Sequence, residues 1–323
     1  MPKSPRILVV YNLCGLKYNN LKIWTEHLIP IMRQEYDNFD IAISACNVQQ
    51  WPGVSKALES LIEPYTNTMT KQICINYIED ILPVNITFNR TSQLFSHSPY
   101  KGEHKYAAYL YVASDVKMID PLAIKKLSDF HFKGPDSKGS FAISSAYVNF
   151  DNGLETNQPR HQAVQAGEDL IFEQGHSFNA HCMLMDAALY KNFGNRCFPD
   201  VFASWASESV FSYLAASLDK KLGMLNAKAL TLHHIDNLDG SSVGFQNQLG
   251  HQYLFKSKLS MQERLMTKEA KEVGFGYEEV KGVFPHDPSW YINGYHKNPA
   301  LLKEFVKKAC FLSKEEFDYD KIK

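Results

Sequence analysis

The sequence lacks the features that mark a secreted, membrane-spanning or nucleic-acid-wrapping protein. Its 34 Lys and Arg residues nearly balance its 35 Asp and Glu residues, which argues against electrostatic binding along nucleic acid. The apolar run near the amino terminus is too short for the core of a signal peptide, and no later run is long enough to span a bilayer. These absences predict a soluble, cytoplasmic protein whose partners are small molecules or locally bound polymers.

The six cysteines are scattered and form no C-x-x-C pair, which argues against a disulfide framework and against a zinc site. Most of them lie inside apolar segments, so the sequence predicts buried free thiols in a reducing compartment. They are Cys14, Cys46, Cys74, Cys182, Cys197 and Cys310.

Glycine is scarce where a dinucleotide-binding fold would need it. The first predicted strand, residues 6–10, is followed by a loop that contains only Gly15. A nicotinamide-binding fold would place a G-x-G-x-x-G turn here, because its backbone must approach the pyrophosphate closely. The sequence therefore excludes an ordinary dehydrogenase.

A strongly apolar strand that ends on a carboxylate is the most informative feature present. Residues 106–112 show no polar alternation, which is typical of a strand buried on both faces of a mostly parallel sheet. Asp115 follows, although Asp is disfavoured in strands and open α/β sheets bind ligands at this edge. The alternative is a helix cap, but Asp120 and Pro121 already provide an N-cap and a first helical position. We therefore interpret Asp115 as a ligand-binding residue.

The remaining segments alternate between strand and helix patterns, which favours a parallel sheet. A polar stretch with little periodicity, residues 151–167, is typical of a functional loop. Predicted strands cover residues 6–10, 39–47, 71–78, 84–91, 139–150 and 221–234, and predicted helices cover residues 21–31, 53–62 and 207–218.

In the order of their predicted strands, helices and motifs, residues 6–234 resemble the GT-A-fold glycosyltransferases, which transfer a sugar from a nucleotide diphosphate donor. The family's D-x-D motif is matched by Ala113-Ser114-Asp115, without the first carboxylate. Its x-E-D motif is matched by Ser207-Glu208-Ser209, and its His after the final strand by His233 or His234. A literal Glu168-Asp169 pair comes too early in the chain and is interpreted as a decoy or an acceptor-loop element.

The resemblance implies an α/β fold of GT-A (Rossmann-like) type, with a mixed, mostly parallel central sheet flanked by helices. It implies a catalytic domain over residues 1–235, and we expect residues 236–323 to form a mainly helical extension that shapes or covers the acceptor site. The implied reaction moves a sugar, from a UDP-sugar by preference, to a glycan, lipid-linked or protein acceptor. Glu208 would be the general base of an inverting mechanism, with a retaining mechanism as the alternative.

A divalent metal is implied at Asp115 and one histidine, because a leaving nucleotide diphosphate develops negative charge that a metal ion stabilises. A mixed carboxylate and imidazole site favours Mn²⁺ over Mg²⁺. Adjacent strand residues point to opposite faces, so only one of His233 and His234 should reach the metal. We prefer His234 and keep His233 as the alternative.

Strand ends are the expected nucleotide cradle, where aromatic rings and amides suit a uracil-type base and its ribose. Each candidate has the alternative interpretation of a turn or cap residue. The candidates are Tyr11, Asn12, Asn47, Arg90 and Ser114, together with Asp115.

Two other functions stay open at this point. A non-catalytic member could bind a glycan or nucleotide, given the thinned acidic motifs, and a sugar nucleotidyltransferase would share a similar fold. The amphipathic segment 300–312 is interpreted as a docked helix, with a peripheral membrane contact as the alternative.

Overall fold

A ten-stranded mixed sheet organises the part of the chain that the computed structural model describes. The described residues are 4–14, 18–46, 48–49, 51–66, 71–79, 84–96, 105–137, 139–150, 159–172, 181–192, 194–198 and 220–234. Asn47, Glu208 and the predicted extension at 236–323 lie outside them. The strands are β1 Ile7–Cys14, β2 Phe39–Cys46, β3 Ile73–Ile78, β4 Ala108–Val112, β5 Val116–Lys117, β6 Ile143–Phe150, β7 Leu170–Phe172, β8 Cys182–Asp186, β9 Leu222–Leu225 and β10 Thr231–His234. The helices are α1 Tyr18–Met32, α2 Val54–Thr66, α3 Val84–Ser96, α4 Ala123–Lys133, α5 Pro159–Ala166 and α6 Ala187–Asn192.

The sheet has the order β3-β2-β1-β4-β8-β6-β10-β5, with β9 pairing β6 and β7. Strands β1 to β4 pair in parallel in this order, and β8 then inserts antiparallel between β4 and β6. Strand β10 runs parallel to β6 and antiparallel to the short β5. The predicted fold class, a mixed and mostly parallel sheet flanked by helices, is confirmed.

Strand β4 is buried on both faces, as its lack of polar alternation predicts. Leu110 and Val112 belong to the apolar cluster that includes residues of α1, α2 and α4. On the opposite face, Tyr109 stacks on Tyr190 of α6 at 3.8 Å between ring centroids, and Tyr111 packs edge-on against Phe88 of α3. The strand is thus clamped between two helical layers, which fixes the position of the residues that follow it.

The strand predicted at residues 84–91 is wrong, because this segment forms the first part of helix α3. Its Ile86 and Phe88 suggest alternation, but the buried residues also include Asn89 and Ser92. The Asn89 carboxamide accepts hydrogen bonds from the backbone N–H groups of Cys197 and Phe198, at 2.9 and 3.1 Å. Tertiary hydrogen bonding therefore outweighs the local β propensity.

Two smaller expectations also change. Helix α4 begins at Ala123, and Asp120 supports its start by accepting the Leu122 N–H at 2.8 Å rather than occupying the N-cap position. The polar stretch predicted as a loop contains helix α5. None of the described helices is long and apolar enough to cross a membrane.

Asp40 anchors the edge of the sheet opposite to the end of β4. Its side chain is 3% exposed and accepts hydrogen bonds from Arg6, Lys105 and Tyr106, as well as from the backbone N–H of Gln72. Burial raises the pKa of Asp40, but the hydrogen bonds from these donors lower it by more than burial raises it. The net pKa therefore lies below the ordinary value of 3.8. This carboxylate joins β2 to β1, to the residues preceding β4 and to the segment before β3.

We expect Asp40→Asn to lower the free energy of unfolding at pH 7 by about 2–3 kcal/mol, less than for fully buried pairs because Arg6 and Lys105 stay partly exposed. The depressed pKa stabilises the fold above the unfolded-state pKa, and this contribution is lost as the pH falls below about 4. Urea denaturation at pH 7 and pH 3 should show the difference between variant and parent shrinking in acid. Asp129→Asn, in the exposed pair with Lys125, is the control and should change stability by less than about 1 kcal/mol. Equal effects of the two variants would contradict this role for Asp40.

Candidate metal centre

Three strands bring a carboxylate and two imidazoles together at one edge of the sheet. Asp115 lies in the turn after β4, His181 directly precedes β8, and His234 ends β10. Val112 of β4 pairs with Cys182 of β8, so the end of β4 lies beside the start of β8. His234 pairs with Val116, the residue after Asp115. The strand registers alone therefore place the three side chains in one neighbourhood.

The side-chain geometry is compatible with a shared ligand. His234 Nε2 lies 3.1 Å from Asp115 Oδ2, and the His181 and His234 rings meet edge to face with centroids 4.9 Å apart. One ligand atom from each residue lies within 4.8 Å of the other two. The Asp115 side chain is 39% exposed and that of His234 is 11% exposed. The three residues are thus partly buried, and the Asp115 carboxylate is more accessible to solvent than the His234 ring.

The electrostatics of the cluster favour the protonation states that bind metals. Burial raises the pKa of Asp115, but the hydrogen bond from His234 and the fields of both histidines outweigh it and lower the net pKa. Burial lowers the pKa of His181 to about 4, with Asp115 opposing and His234 adding to the shift. Asp115 is therefore ionised at pH 7 and His181 is neutral, as metal ligands must be.

These residues fit a divalent cation. Asp115 Oδ1 is buried and has no hydrogen-bond partner among the described residues, although burying a carboxylate oxygen without a partner is costly. The 3.1 Å separation of the other oxygen from His234 Nε2 is close to the edge of about 3 Å expected between adjacent ligands with bonds of about 2.1 Å. One carboxylate and two imidazoles suit Mn²⁺, Fe²⁺, Co²⁺ or Zn²⁺.

The turn that carries Asp115 is fixed by hydrogen bonds to its backbone. The Ser114 carbonyl accepts hydrogen bonds from the Tyr11 hydroxyl at 3.1 Å and from His27 Nδ1 at 3.2 Å. Tyr11 is fully buried, and its single hydroxyl proton is shared with the Trp24 carbonyl, which lies 2.8 Å from the hydroxyl oxygen. Its ring is therefore not available for stacking on a nucleotide base. The predicted binding role of Tyr11 is therefore corrected to one of positioning the Asp115 turn.

Among the other predicted site residues, the structure describes Asn12, Arg90, Ser114 and His233, whereas Asn47 and Glu208 lie outside the described residues. Asn12 is buried inside β1 beside Thr87 of α3, with 3.4 Å between Thr87 Oγ1 and Asn12 Oδ1. Arg90 is exposed on α3, a helix rather than the predicted strand. His233 pairs with Lys117 and does not belong to the cluster. Asp169 accepts hydrogen bonds from the backbone and side chain of Asn226, which is a structural role.

His181 is the member of the cluster that sequence reasoning missed. It stands at the start of an apolar strand, within "NAHCMLMD", where a polar residue at a strand end resembles an ordinary turn. The available signal was that this strand follows the long polar stretch and can pair antiparallel with the strand that ends near Asp115. Only the register of β4 and β8 brings His181 to the site.

The similarity of this chain to known proteins lies in its fold. No protein-family model matches this chain, and no curated protein matches it. Among solved structures, it is similar to the mannosyltransferase PcManGT from Pyrobaculum calidifontis in complex with GDP-Man and Mn²⁺. The TM-score is 0.53 and the identity 13%, over 96% of this chain and 74% of that one. It is also similar to S. aureus TarS, with a TM-score of 0.48 and 12% identity, over 96% of this chain and 50% of that one.

The chain has a GT-A-like fold. This similarity agrees with the fold implied by the resemblance to the GT-A-fold glycosyltransferases, which rests on the order of the motifs around Asp115, Glu208 and His234. At 13% identity it establishes the architecture alone, and the chemistry must be argued from the residues of this chain.

We expect His234→Asn to weaken Mn²⁺ binding by at least about tenfold, because even the loss of a residue that only supports a ligand commonly costs about 10–100-fold. His233→Asn is a matched control, since the adjacent strand residue points to the other face and should change the affinity by less than about twofold. Isothermal titration of the metal-free protein with MnCl₂ measures both. Similar losses in the two variants would show that His234 is not a ligand.

Proposed function

We propose that this protein is a metal-assisted glycosyltransferase that moves a sugar from a nucleotide diphosphate sugar to an acceptor hydroxyl. The observation that carries the proposal is the convergence of Asp115, His181 and His234 at the carboxyl end of β4 in a GT-A-like fold. Open α/β sheets bind their ligands at this edge. The similar PcManGT structure contains GDP-Man and Mn²⁺, which supports the same class of donor here.

The residues of the cluster would hold a divalent cation, Mn²⁺ in preference to Mg²⁺, through one carboxylate oxygen and imidazole nitrogens. When bound, the cation would stabilise the negative charge that develops on the departing diphosphate. Tyr11 and His27 keep the Asp115 turn in place through the Ser114 carbonyl, so little rearrangement is needed when the donor binds.

Glu208 is proposed as the general base. Its carboxylate takes the proton from the acceptor hydroxyl while that oxygen forms a bond to the anomeric carbon. The bond from this carbon to the diphosphate oxygen breaks on the opposite side, and the nucleotide diphosphate leaves with both electrons. The configuration is therefore inverted. The proposal rests on the position of Glu208 at the start of a predicted helix, and a retaining mechanism would dispense with this base.

UDP-sugars are the first donors to test, and the GDP-Man in the PcManGT structure makes GDP-sugars the second. Asn12, Asn47, Arg90 and Ser114 remain the proposed contacts to the nucleotide. The acceptor is a glycan, lipid-linked or protein hydroxyl, which residues 236–323 would help to cover. We propose a cytoplasmic location, which the scattered cysteines of the sequence support, because they form no recognisable disulfide framework.

A non-catalytic sugar-nucleotide binder is the second candidate. The observation that favours it is that position 113 carries Ala where a first carboxylate would stand. Such a binder would be stabilised by a donor and Mn²⁺ but would not turn the donor over. Turnover therefore separates the two candidates.

We expect a donor to raise the melting temperature in Mn²⁺ but not in EDTA, because a ligand at about 100 times its Kd stabilises the folded state by about 2.7 kcal/mol. A thermal-shift screen of UDP- and GDP-sugars measures this effect, and chromatography of the released nucleotide measures turnover. Asp115→Asn should abolish the Mn²⁺-dependent part of the increase in melting temperature. Asp129→Asn, which also removes one carboxylate but at an exposed site, should leave it unchanged. A shift that is equal in EDTA and in the Asp115 variant would contradict the proposal.

Glu208→Gln should lower the rate of transfer by about 10²–10⁴-fold with little change in donor affinity, since it removes proton abstraction but retains the side-chain shape. Steady-state kinetics with saturating donor measures the rate, and product stereochemistry by NMR tests inversion. If the variant transfers sugar within a few-fold of the parent, Glu208 is not the base.

A further inference from the structure

We infer that His181 replaces the carboxylate missing at position 113, and that it makes the site selective for transition-metal cations over Mg²⁺. The inference deepens the proposed function, because it concerns the same cation site. However, it can be tested by cation binding alone, without donor or acceptor. Two observations carry it: the position of His181 across from Ala113, and the chemistry of the resulting donor set.

His181 lies directly across the sheet from Ala113. The antiparallel register of β4 and β8 pairs Tyr111 with Met183 and Val112 with Cys182, so the next pair in the register is Ala113 with His181. The backbone confirms this continuation, because the Ala113 N–H donates to the His181 carbonyl at 2.9 Å. Directly opposed residues in an antiparallel pair have Cβ atoms about 4.5–5.5 Å apart. An imidazole at position 181 can therefore enter the space that a carboxylate at position 113 would otherwise reach.

The replacement changes the charge and the hardness of the site. Two carboxylates with one imidazole would carry a charge of about −2, whereas Asp115 with His181 and His234 carries about −1 when both rings are neutral. Mg²⁺ and Ca²⁺ are hard cations that take oxygen ligands, whereas Mn²⁺, Fe²⁺, Co²⁺ and Zn²⁺ accept imidazole nitrogen. The lower negative charge weakens the binding of every divalent cation, whereas the exchange of an oxygen ligand for a nitrogen ligand disfavours Mg²⁺ in particular.

A structural role for His181 makes a different prediction. Its ring packs edge to face on His234 at 4.9 Å between centroids, an arrangement that aromatic rings also adopt without any ligand. If the ring only positioned His234, its loss would lower the affinity for every divalent cation by a similar factor. If His181 is a ligand, its substitution changes the ratio of affinities between cations. The Mg²⁺ to Mn²⁺ ratio of dissociation constants therefore discriminates between the two roles.

The decisive variant is His181→Asp, which exchanges the nitrogen donor for an oxygen donor. Metal-free protein is titrated with MnCl₂ and with MgCl₂ by calorimetry, in the absence of nucleotide. We expect the ratio of the Mg²⁺ to the Mn²⁺ dissociation constant to fall at least tenfold. His233→Asp is the matched control, because it adds the same charge next to the site without supplying a ligand. It should increase the affinity for both cations by a similar factor and leave the ratio of dissociation constants within twofold of that of the parent.

A second variant and a spectroscopic measurement cover the case in which an added charge prevents folding. His181→Asn removes the imidazole without adding charge. It should raise the dissociation constant of Mn²⁺ at least tenfold while changing that of Mg²⁺ by less than threefold. Electron spin-echo modulation of bound Mn²⁺ detects directly coordinated nitrogen, and it should lose one imidazole contribution in this variant. Circular dichroism shows whether each variant is folded.

The inference is overturned if the parent does not bind Mn²⁺, or if the ratio and the nitrogen coupling stay unchanged in folded His181 variants. A parent that shows the expected selectivity but transfers no sugar from any donor supports the inference while refuting the proposed function. The two can therefore fail independently.

Discussion

The pairing of β8 with β4 is the contact on which the rest of the site depends. Strand β4 is held in parallel by β1 on one side and antiparallel by β8 on the other, and helices cover both of its faces. Because backbone hydrogen bonds fix the register, the residue before β8 must lie across from the residue after β4. Insertion of one antiparallel strand thus delivers His181 to the turn of Asp115.

Beneath this edge, the protein uses buried polar groups to hold a loop rather than to bind a ligand. The Ser114 carbonyl accepts hydrogen bonds from both Tyr11 and His27, and the single hydroxyl proton of Tyr11 is shared between the Ser114 and Trp24 carbonyls. Leaving a fully buried carbonyl without a donor costs about 1–3 kcal/mol, and the cost is smaller for the half-buried Ser114 carbonyl. The two hydrogen bonds therefore stabilise one conformation of the turn over its alternatives. The orientation of the Asp115 carboxylate therefore depends on Tyr11 of β1 and His27 of α1, which contact the backbone of the turn and are not part of the cluster.

Much of the fold was predictable because it is written in local patterns. The unbroken apolar run of β4 and the Asp115 that follows it indicated both the buried strand and the edge that carries the candidate site. Strand alternation indicated that only one of His233 and His234 would reach this edge, and the structure places His234 in the cluster. Residues 84–91 were misassigned because Asn89 is satisfied by the distant Cys197 and Phe198, a contact that no local pattern reveals. His181 was missed for the same reason, since its role depends on a long-range register. Tyr11 was predicted at a strand end, but β1 extends to Cys14 and buries it.

The three residues of the cluster are far apart in the sequence and come from strands that close successively longer loops. Chain entropy opposes such closures, so pairings between distant segments are costly to form. The pairing of β10 with β5 completes the set, since it brings His234 beside Asp115. A cation that contacts all three residues would act as a noncovalent cross-link between these strands. The concentration of free metal would then govern how long β10 stays docked, so the lifetime of the finished sheet would depend on the ionic composition of its surroundings.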